Sequence, residues 1–204
     1  MIVSLLRHGS TEWNEAGRMQ GRSDVPLSAR GRTQVRAWRV PVDPEWPAQW
    51  ISSPLRRAVE TAEILSGAAP HRESALTEMD WGEWEGFGLG ELRDRFADEF
   101  TRNEAAGLDF RPPGGESPRD VQHRMQCWLR VIAAQDRPVI AVTHKGVLRA
   151  VLATAIGWDM TGKPPIRLQD DAMHRFAVDR NGAVSLVECN VPLVTLESNR
   201  RPKI

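Results

Sequence analysis

Short, unbroken apolar runs alternate with stretches of helical period along most of the chain. "MIVSLL" (residues 1 to 6) and "PVIAVTH" (138 to 144) are continuous runs of the kind buried on both faces of a parallel sheet. "LSARGRTQVRAW" carries a helical pattern behind Ser28, a helix-cap candidate. "WISSPLRRAVETAEIL" reads as a short strand followed by a helix, with Ser53 as N-cap and Pro54 in the first turn. Leu55, Ala58, Ala62 and Leu65 then fall on one face, and Leu89, Leu92, Phe96 and Phe100 repeat that spacing. "RPPGGES" (111 to 117) interrupts regular structure, and Ser117-Pro118 restarts a helix whose stripe is Val121, Met125, Trp128 and Ile132. "KGVLRAVLATAIG" predicts another helix that stops at Gly157. "AMHRFAVD" and "AVSLVECN" predict two strands joined by a tight turn at "RNG".

This alternation predicts an α/β fold: a sandwich around a mainly parallel sheet with an antiparallel edge at the C-terminal end. The 204 residues suit one domain, with no repeat or linker, and "VPVDPEWP" (40 to 47) reads as a short exposed loop. In an open parallel sheet, ligands bind beyond the carboxyl ends of the strands. Two predicted strands end in histidine, at Arg7-His8 and at Thr143-His144. A third ends at Ser52-Ser53, just before Arg56 and Arg57. The fold therefore gathers two histidines and several arginines on one edge.

Composition narrows the options. Lys+Arg and Asp+Glu balance at 27 each, which argues against a general binder of nucleic acid or of an anionic membrane. No stretch approaches the ~20 apolar residues of a membrane span. The N-terminal run is too short and lacks the basic start of a secretory signal. Cys127 and Cys189 are far apart without CxxC spacing, so they read as structural thiols, and the cytoplasm is the expected location. No histidines or cysteines show metal-ligand spacing such as H-x-H or H-E-x-x-H, so a metal site is not expected. A homo-oligomer is compatible with the sequence but not implied by it.

Arginines and histidines around one point suit a phosphate. Guanidinium forks make bidentate, charge-assisted hydrogen bonds to its oxygens, and a glycine such as Gly9 lets backbone approach an anion. A neutral imidazole beside phosphorus can act as nucleophile if a backbone acceptor holds one ring nitrogen as N–H. The departing alkoxide then needs a proton donor. "LTEMDWGEWEG" offers Glu78, Asp80, Glu83 and Glu85, any of which serves on spacing alone.

Taken in order, "LRHGSTEWN", "LSARG", "SSPLRRAVETAE", "LTEMDWGEWEG", "PPGGES" and "VTHKGVLRA" resemble the signatures of the histidine phosphatase superfamily, in its phosphoglycerate mutase-like branch. The resemblance spans about residues 2 to 190. It implies a three-layer α/β/α sandwich with a mixed sheet and a single domain over 1–204. It makes His8 the phosphorylated nucleophile, Arg7 and Arg57 the phosphate clamps, His144 the second phosphate-binding histidine and Glu78 the proton donor. Gly9, Asn14, Gln20 and Gly21 match positions around the phosphate and substrate. Lys145 departs from the pattern, because glycine is commoner after the second histidine; its side chain either adds charge near the phosphate or points to solvent.

The resemblance implies hydrolysis of a small phosphorylated substrate without metal or cofactor. A phosphoglycerate mutase is the near alternative, but residues 87–115 lack the basic run that holds a bisphosphoglycerate primer. A protein phosphatase and a non-catalytic phosphate-ligand module are the others. Trp81 and Trp84 are candidates for stacking on an aromatic leaving group. "GFGLGEL" (86 to 92) reads as a flexible rim. His71, His123 and His174 lie outside the motifs as surface or structural residues, with His174 within reach of the pocket as the lesser alternative.

Overall fold

The computed structural model describes residues 1–41 and 48–193, apart from the Glu99 side chain. Most of the expected 40–47 loop thus lies outside the described residues. Among the described residues, six strands form one sheet: β1 (Ile2–Arg7), β2 (Gln49–Ser52), β3 (His71–Arg72), β4 (Val139–Thr143), β5 (Ala172–Val178) and β6 (Val184–Pro192). Their order is β3-β2-β4-β1-β5-β6. The first four in that order run parallel, while β5 pairs antiparallel with both β1 and β6. The two C-terminal strands thus make the antiparallel side of the sheet, with β6 at the edge, as the sequence pattern suggested.

Alternate residues of the central strands face different helices, as the two-residue period of a strand requires. Val3, Leu5, Val139 and Ala141 pack against α6 (Pro118–Ala133) and α7 (Lys145–Ile156). Leu6, Ile140 and Val142 pack against α3 (Arg56–Ser66) on the opposite face. Beside it, α2 (Ala29–Ala37) closes over Met173 of β5 through Val35. These are the layers of an α/β/α sandwich. A short α1 (Glu12–Glu15) follows β1, while α4 (Leu89–Arg95) and α5 (Ala97–Glu104) stand outside the layers around Trp84.

Helix boundaries follow their caps. Ser28 accepts from the Gly31 N–H at 2.9 Å, and Ser117 forms a capping box with Asp120. Gly67 and Gly157 end α3 and α7 in the left-handed conformation. Ser53 does not cap α3 as its sequence suggests. The helix starts at Arg56, whose N–H donates to Asp24 at 2.7 Å from another loop. The hydroxyl of Ser53 has a different partner, described below. The glycine-rich 86–92 stretch is not a loose rim either. Gly86 N–H donates to the Met19 carbonyl at 2.8 Å, Gly88 bridges Arg18, and Leu89 begins α4. Among the described residues, no helix is long and apolar enough to cross a membrane.

Candidate active site

Three parallel strands deliver the centre of the site. Strand pairing continues one residue past each end: His8 N–H donates to Thr143 O and Ser53 N–H to Val142 O, both at 3.0 Å. His8, Ser53 and His144 thus emerge side by side at the carboxyl edge, fixed by backbone. The His8 and His144 rings lie 5.0 Å apart, and both residues are buried.

Each imidazole is oriented by a local partner. His8 Nδ1 lies 2.7 Å from the Gly9 carbonyl, an acceptor only, so that nitrogen carries the proton and Nε2 keeps its lone pair. Arg57 Nε donates to that Nε2 at 3.3 Å. Burial lowers the His8 pKa well below the usual imidazole value, helped by the charges of Arg7 and Arg57 and opposed by the bond to Gly9. His144 Nε2 lies 2.8 Å from Ser53 Oγ, which also accepts from the Leu55 N–H at 3.3 Å. His144 Nδ1 is buried and has no partner among the described residues. Burial, then the charges of Arg57, His8 and Arg7, lower its pKa well below the usual value too. Both histidines are therefore neutral near pH 7.

Arg57 is fully buried at the start of α3. Nη1 donates to Ser23 O and Nη2 to Gly21 O, both at 2.8 Å. That spends one edge of the fork on backbone and directs the guanidinium at His8. Arg7 Nη1 pairs with Asp170 at 2.5 Å, and Arg7 Nε is buried without a partner among the described residues.

The acids of the 78–85 loop separate by position. Glu78 lines the cavity beside His8, with its carboxylate held by the N–H groups of Met79 (2.9 Å) and Gly146 (3.3 Å). Glu85 anchors the loop under Arg57 by accepting from Arg22 N–H (2.6 Å), Ser23 N–H (2.9 Å) and Ser23 Oγ (2.6 Å). Asp80 accepts from Gly82 N–H at 2.8 Å, and Glu83 is exposed. Only Glu78 of the four reaches the cavity.

Asn14, Gln20 and Gly21 line the same cavity. Thr11 N–H donates to Asn14 Oδ1 (3.2 Å) and Thr11 Oγ1 to Gln20 Oε1 (2.9 Å), leaving both amide nitrogens as donors. Gly9 has a different job from the one its motif suggested. It is not in the cavity wall; a Cβ there would collide with Val35 of α2. It permits helix–strand packing, donates its N–H to Thr61 Oγ1 at 3.0 Å and orients His8 through its carbonyl. Lys145 lines the cavity, half exposed, 3.9 Å from Asp170.

The cavity measures about 680 Å³ and extends well beyond His8; His144 lies buried behind its wall. Trp81 lines it, edge-on to Phe110 at 5.5 Å, whereas Trp84 is fully buried against Phe96, Phe100 and Phe110 and unable to touch a ligand. His174 stays outside, buried in β5 with Nδ1 accepting from Asn190 N–H at 3.2 Å. His71 and His123 are exposed. Sequence reading missed Ser53 and Asp170. Ser53 looked like a helix cap, and nothing in the sequence places Asp170 opposite Arg7.

A profile of the histidine phosphatase superfamily (branch 1) matches residues 3–191. The chain is 34% identical over 172 residues to a glucosyl-3-phosphoglycerate phosphatase of Mycolicibacterium vanbaalenii, covering 78% of this chain and 76% of the relative. It is 34% identical over 163 residues to a probable 2-carboxy-D-arabinitol-1-phosphatase of Arabidopsis thaliana; there it covers 76% of this chain but only 33% of that longer relative. A 2,3-bisphosphoglycerate-dependent phosphoglycerate mutase of Gloeobacter violaceus is 30% identical, with 74% of each chain aligned. Among solved structures, mycobacterial glucosyl-3-phosphoglycerate phosphatase in complex with VO3 superposes with a TM-score of 0.77 at 27% identity, over 93% of this chain and 99% of that one. The chain belongs to the histidine phosphatase superfamily, branch 1.

Proposed function

We propose that this protein is a metal-independent phosphomonoesterase that hydrolyses a small phosphorylated metabolite through a phosphohistidine at His8. The observation that carries the reading is the His8 ring itself. Its Nδ1 proton is fixed on Gly9 O at 2.7 Å, burial keeps it neutral, and its Nε2 lone pair faces the cavity beside Arg57. The family and its phosphatase-named members support a phosphoric monoester hydrolase.

In the first step His8 Nε2 attacks phosphorus, and the bond from phosphorus to the ester oxygen breaks. The alcohol leaves with a proton supplied by Glu78. Arg57 Nε moves its hydrogen bond from His8 Nε2 to a phosphoryl oxygen as the nitrogen becomes the phosphorus ligand. Arg7, Gln20 and the Nδ1–H of His144 supply further donors to the equatorial oxygens, the electrostatic task that phosphoryl transfer sets. In the second step water attacks phosphorus, Glu78 takes its proton, the phosphorus–nitrogen bond breaks, and phosphate leaves with His8 restored.

A mutase differs only in returning the phosphoryl group to a sugar acid. The 87–115 segment, without the basic run that would hold a bisphosphate primer, favours water as acceptor. The test is turnover of p-nitrophenyl phosphate in EDTA across about pH 5 to 8, where imidazole ordinarily titrates. The wild type is expected to turn over and His8→Ala is not. Equal rates from both proteins would refute the reading.

A further inference from the structure

Three cations in the cavity wall, Arg18, Lys145 and Arg149, have no task in the chemistry above, and two of them share one helix. We propose that Lys145 and Arg149, four residues apart on one face of α7, form an anion subsite for a carboxylate or second phosphate on the leaving-group side of the substrate. The proposal deepens the phosphomonoesterase reading and rests on it.

Arg149 is the stronger observation. It lines the cavity, and its Nε is buried without a hydrogen-bond partner among the described residues. No described carboxylate lies within ion-pair distance of it, and burial alone accounts for its lowered pKa. Arg149 is half-buried and its guanidinium remains charged at neutral pH, so an N–H withdrawn from water without a partner is unfavourable. Arg7 also has a buried, unpartnered Nε, but its guanidinium, like those of Arg57 and Arg124, has a partner elsewhere. Arg7 faces Asp170, Arg57 donates to two carbonyls, and Arg124 pairs with Glu116.

The packing holds Arg149 ready without satisfying it. Its guanidinium carbon lies 5.5 Å from the Trp158 ring centre. Trp158 Nε1 donates to Thr161 O at 3.2 Å, and Leu108 N–H donates to Asp159 O at 2.9 Å, so the 157–162 loop is pinned against the far wall. Stacking uses the face of the guanidinium and leaves its N–H edge unspent. The two acids in the cavity wall do not supply the missing partner. Glu78 is held by backbone N–H groups, and Glu104 pairs with Arg93 at 3.2 Å.

Position completes the case. Lys145 directly follows His144, and Arg149 stands one helical turn farther on, about 6 Å along the axis. An anion bound there shares its cavity with His8, and the wall of that cavity also includes the apolar side chains of Trp81 and Met160. The fitting substrate is a phosphomonoester whose alcohol carries a second acidic group, joined by a short, partly apolar body.

The test compares ω-carboxyalkyl phosphates of increasing length with ω-hydroxyalkyl phosphates of the same length; α,ω-diol bisphosphates form a third arm. The wild-type ratio of kcat/KM, acid over alcohol, is expected to peak at one length at about tenfold or more, the size of one charge-assisted hydrogen bond. R149M is expected to bring the ratio close to one, R149K to retain part of it, and K145M to lower it less. A higher ratio with the bisphosphates identifies phosphate as the second anion; a higher ratio with the acids identifies carboxylate. A wild-type ratio near one at every length overturns the subsite, as does an unchanged ratio in both R149M and K145M. Should R149M not fold, R149K and the exposed K145M carry the same readout. If the wild type hydrolyses none of these esters, the hydrolase reading fails instead, and calorimetric binding of the same pairs to the His8→Ala protein reads the subsite directly.

Discussion

The two ends of the cavity are made of different material. At the phosphate end, His8, Ser53 and His144 are single residues beyond three hydrogen-bonded strands, and Arg57 is the first fixed side chain of α3. At the leaving-group end, the wall comes from α4, α5, the Lys145–Arg149 face of α7 and the loops around Gly107, Phe110 and Met160. The first end gets its geometry from the sheet, where a shift of one residue would turn each side chain to the opposite face. The second gets it from short helices and connections, which tolerate change. Under the proposed mechanism, this difference assigns the common chemistry to one end and the selectivity to the other.

Substitutions test that division, and the largest effect belongs to the sheet end. Arg57→Met removes a buried clamp. It is expected to lower kcat/KM by about 10³-fold, and equally for esters of every leaving group, since it touches only the phosphoryl group. A loss confined to some esters would break the comparison. Glu78→Gln comes next, at about 10²- to 10⁴-fold for alkyl phosphates. The same variant should lose far less with p-nitrophenyl phosphate, whose phenolate departs without a proton. Equal losses on both would move the proton-donor role elsewhere.

Ser53→Ala should cost about tenfold in kcat, by releasing His144 from the one hydroxyl that fixes its ring. Its effect belongs on kcat rather than KM if Nδ1–H meets the transferring group. The pH profile offers a related check. Because the His8 pKa is lowered, its neutral, nucleophilic form persists as pH falls through the ordinary imidazole range. The acid limb of kcat/KM assigned to His8 should therefore lie below about pH 6.5, the unperturbed value. The smallest effect is expected at the loop end. Trp81→Leu should change KM a few-fold, by an amount that depends on the leaving group, because it trims apolar wall only. A large, uniform loss of kcat in this variant would show that the two ends are not separable.

The same division explains what the sequence made legible. Arg7-His8 and Thr143-His144 were readable because continuous apolar runs announce buried strands, and the open-sheet rule says where their ends point. Arg57 and Glu78 were assigned through the family resemblance, and the structure brings both to the cavity. Ser53 was misread because a serine before proline and a helix is a good cap by local rules, while its real partner is 91 residues away in sequence. Gly9 was misread for a related reason. The motif suggested an anion neighbour, but the tight contact is with Val35 of α2. The Arg7–Asp170 pair and the unpartnered Arg149 depend on how the 157–171 loop lies over α7, which no local pattern encodes.

The central claim is that His8 carries the phosphoryl group during turnover. The most direct measurement is rapid quench of the wild type with a phosphate-labelled ester, followed by peptide mapping under alkaline conditions that preserve phosphohistidine. The account predicts label on His8, formed and lost at rates that support turnover, and none in His8→Ala. Turnover with no label on His8, or with label on another residue, would contradict it.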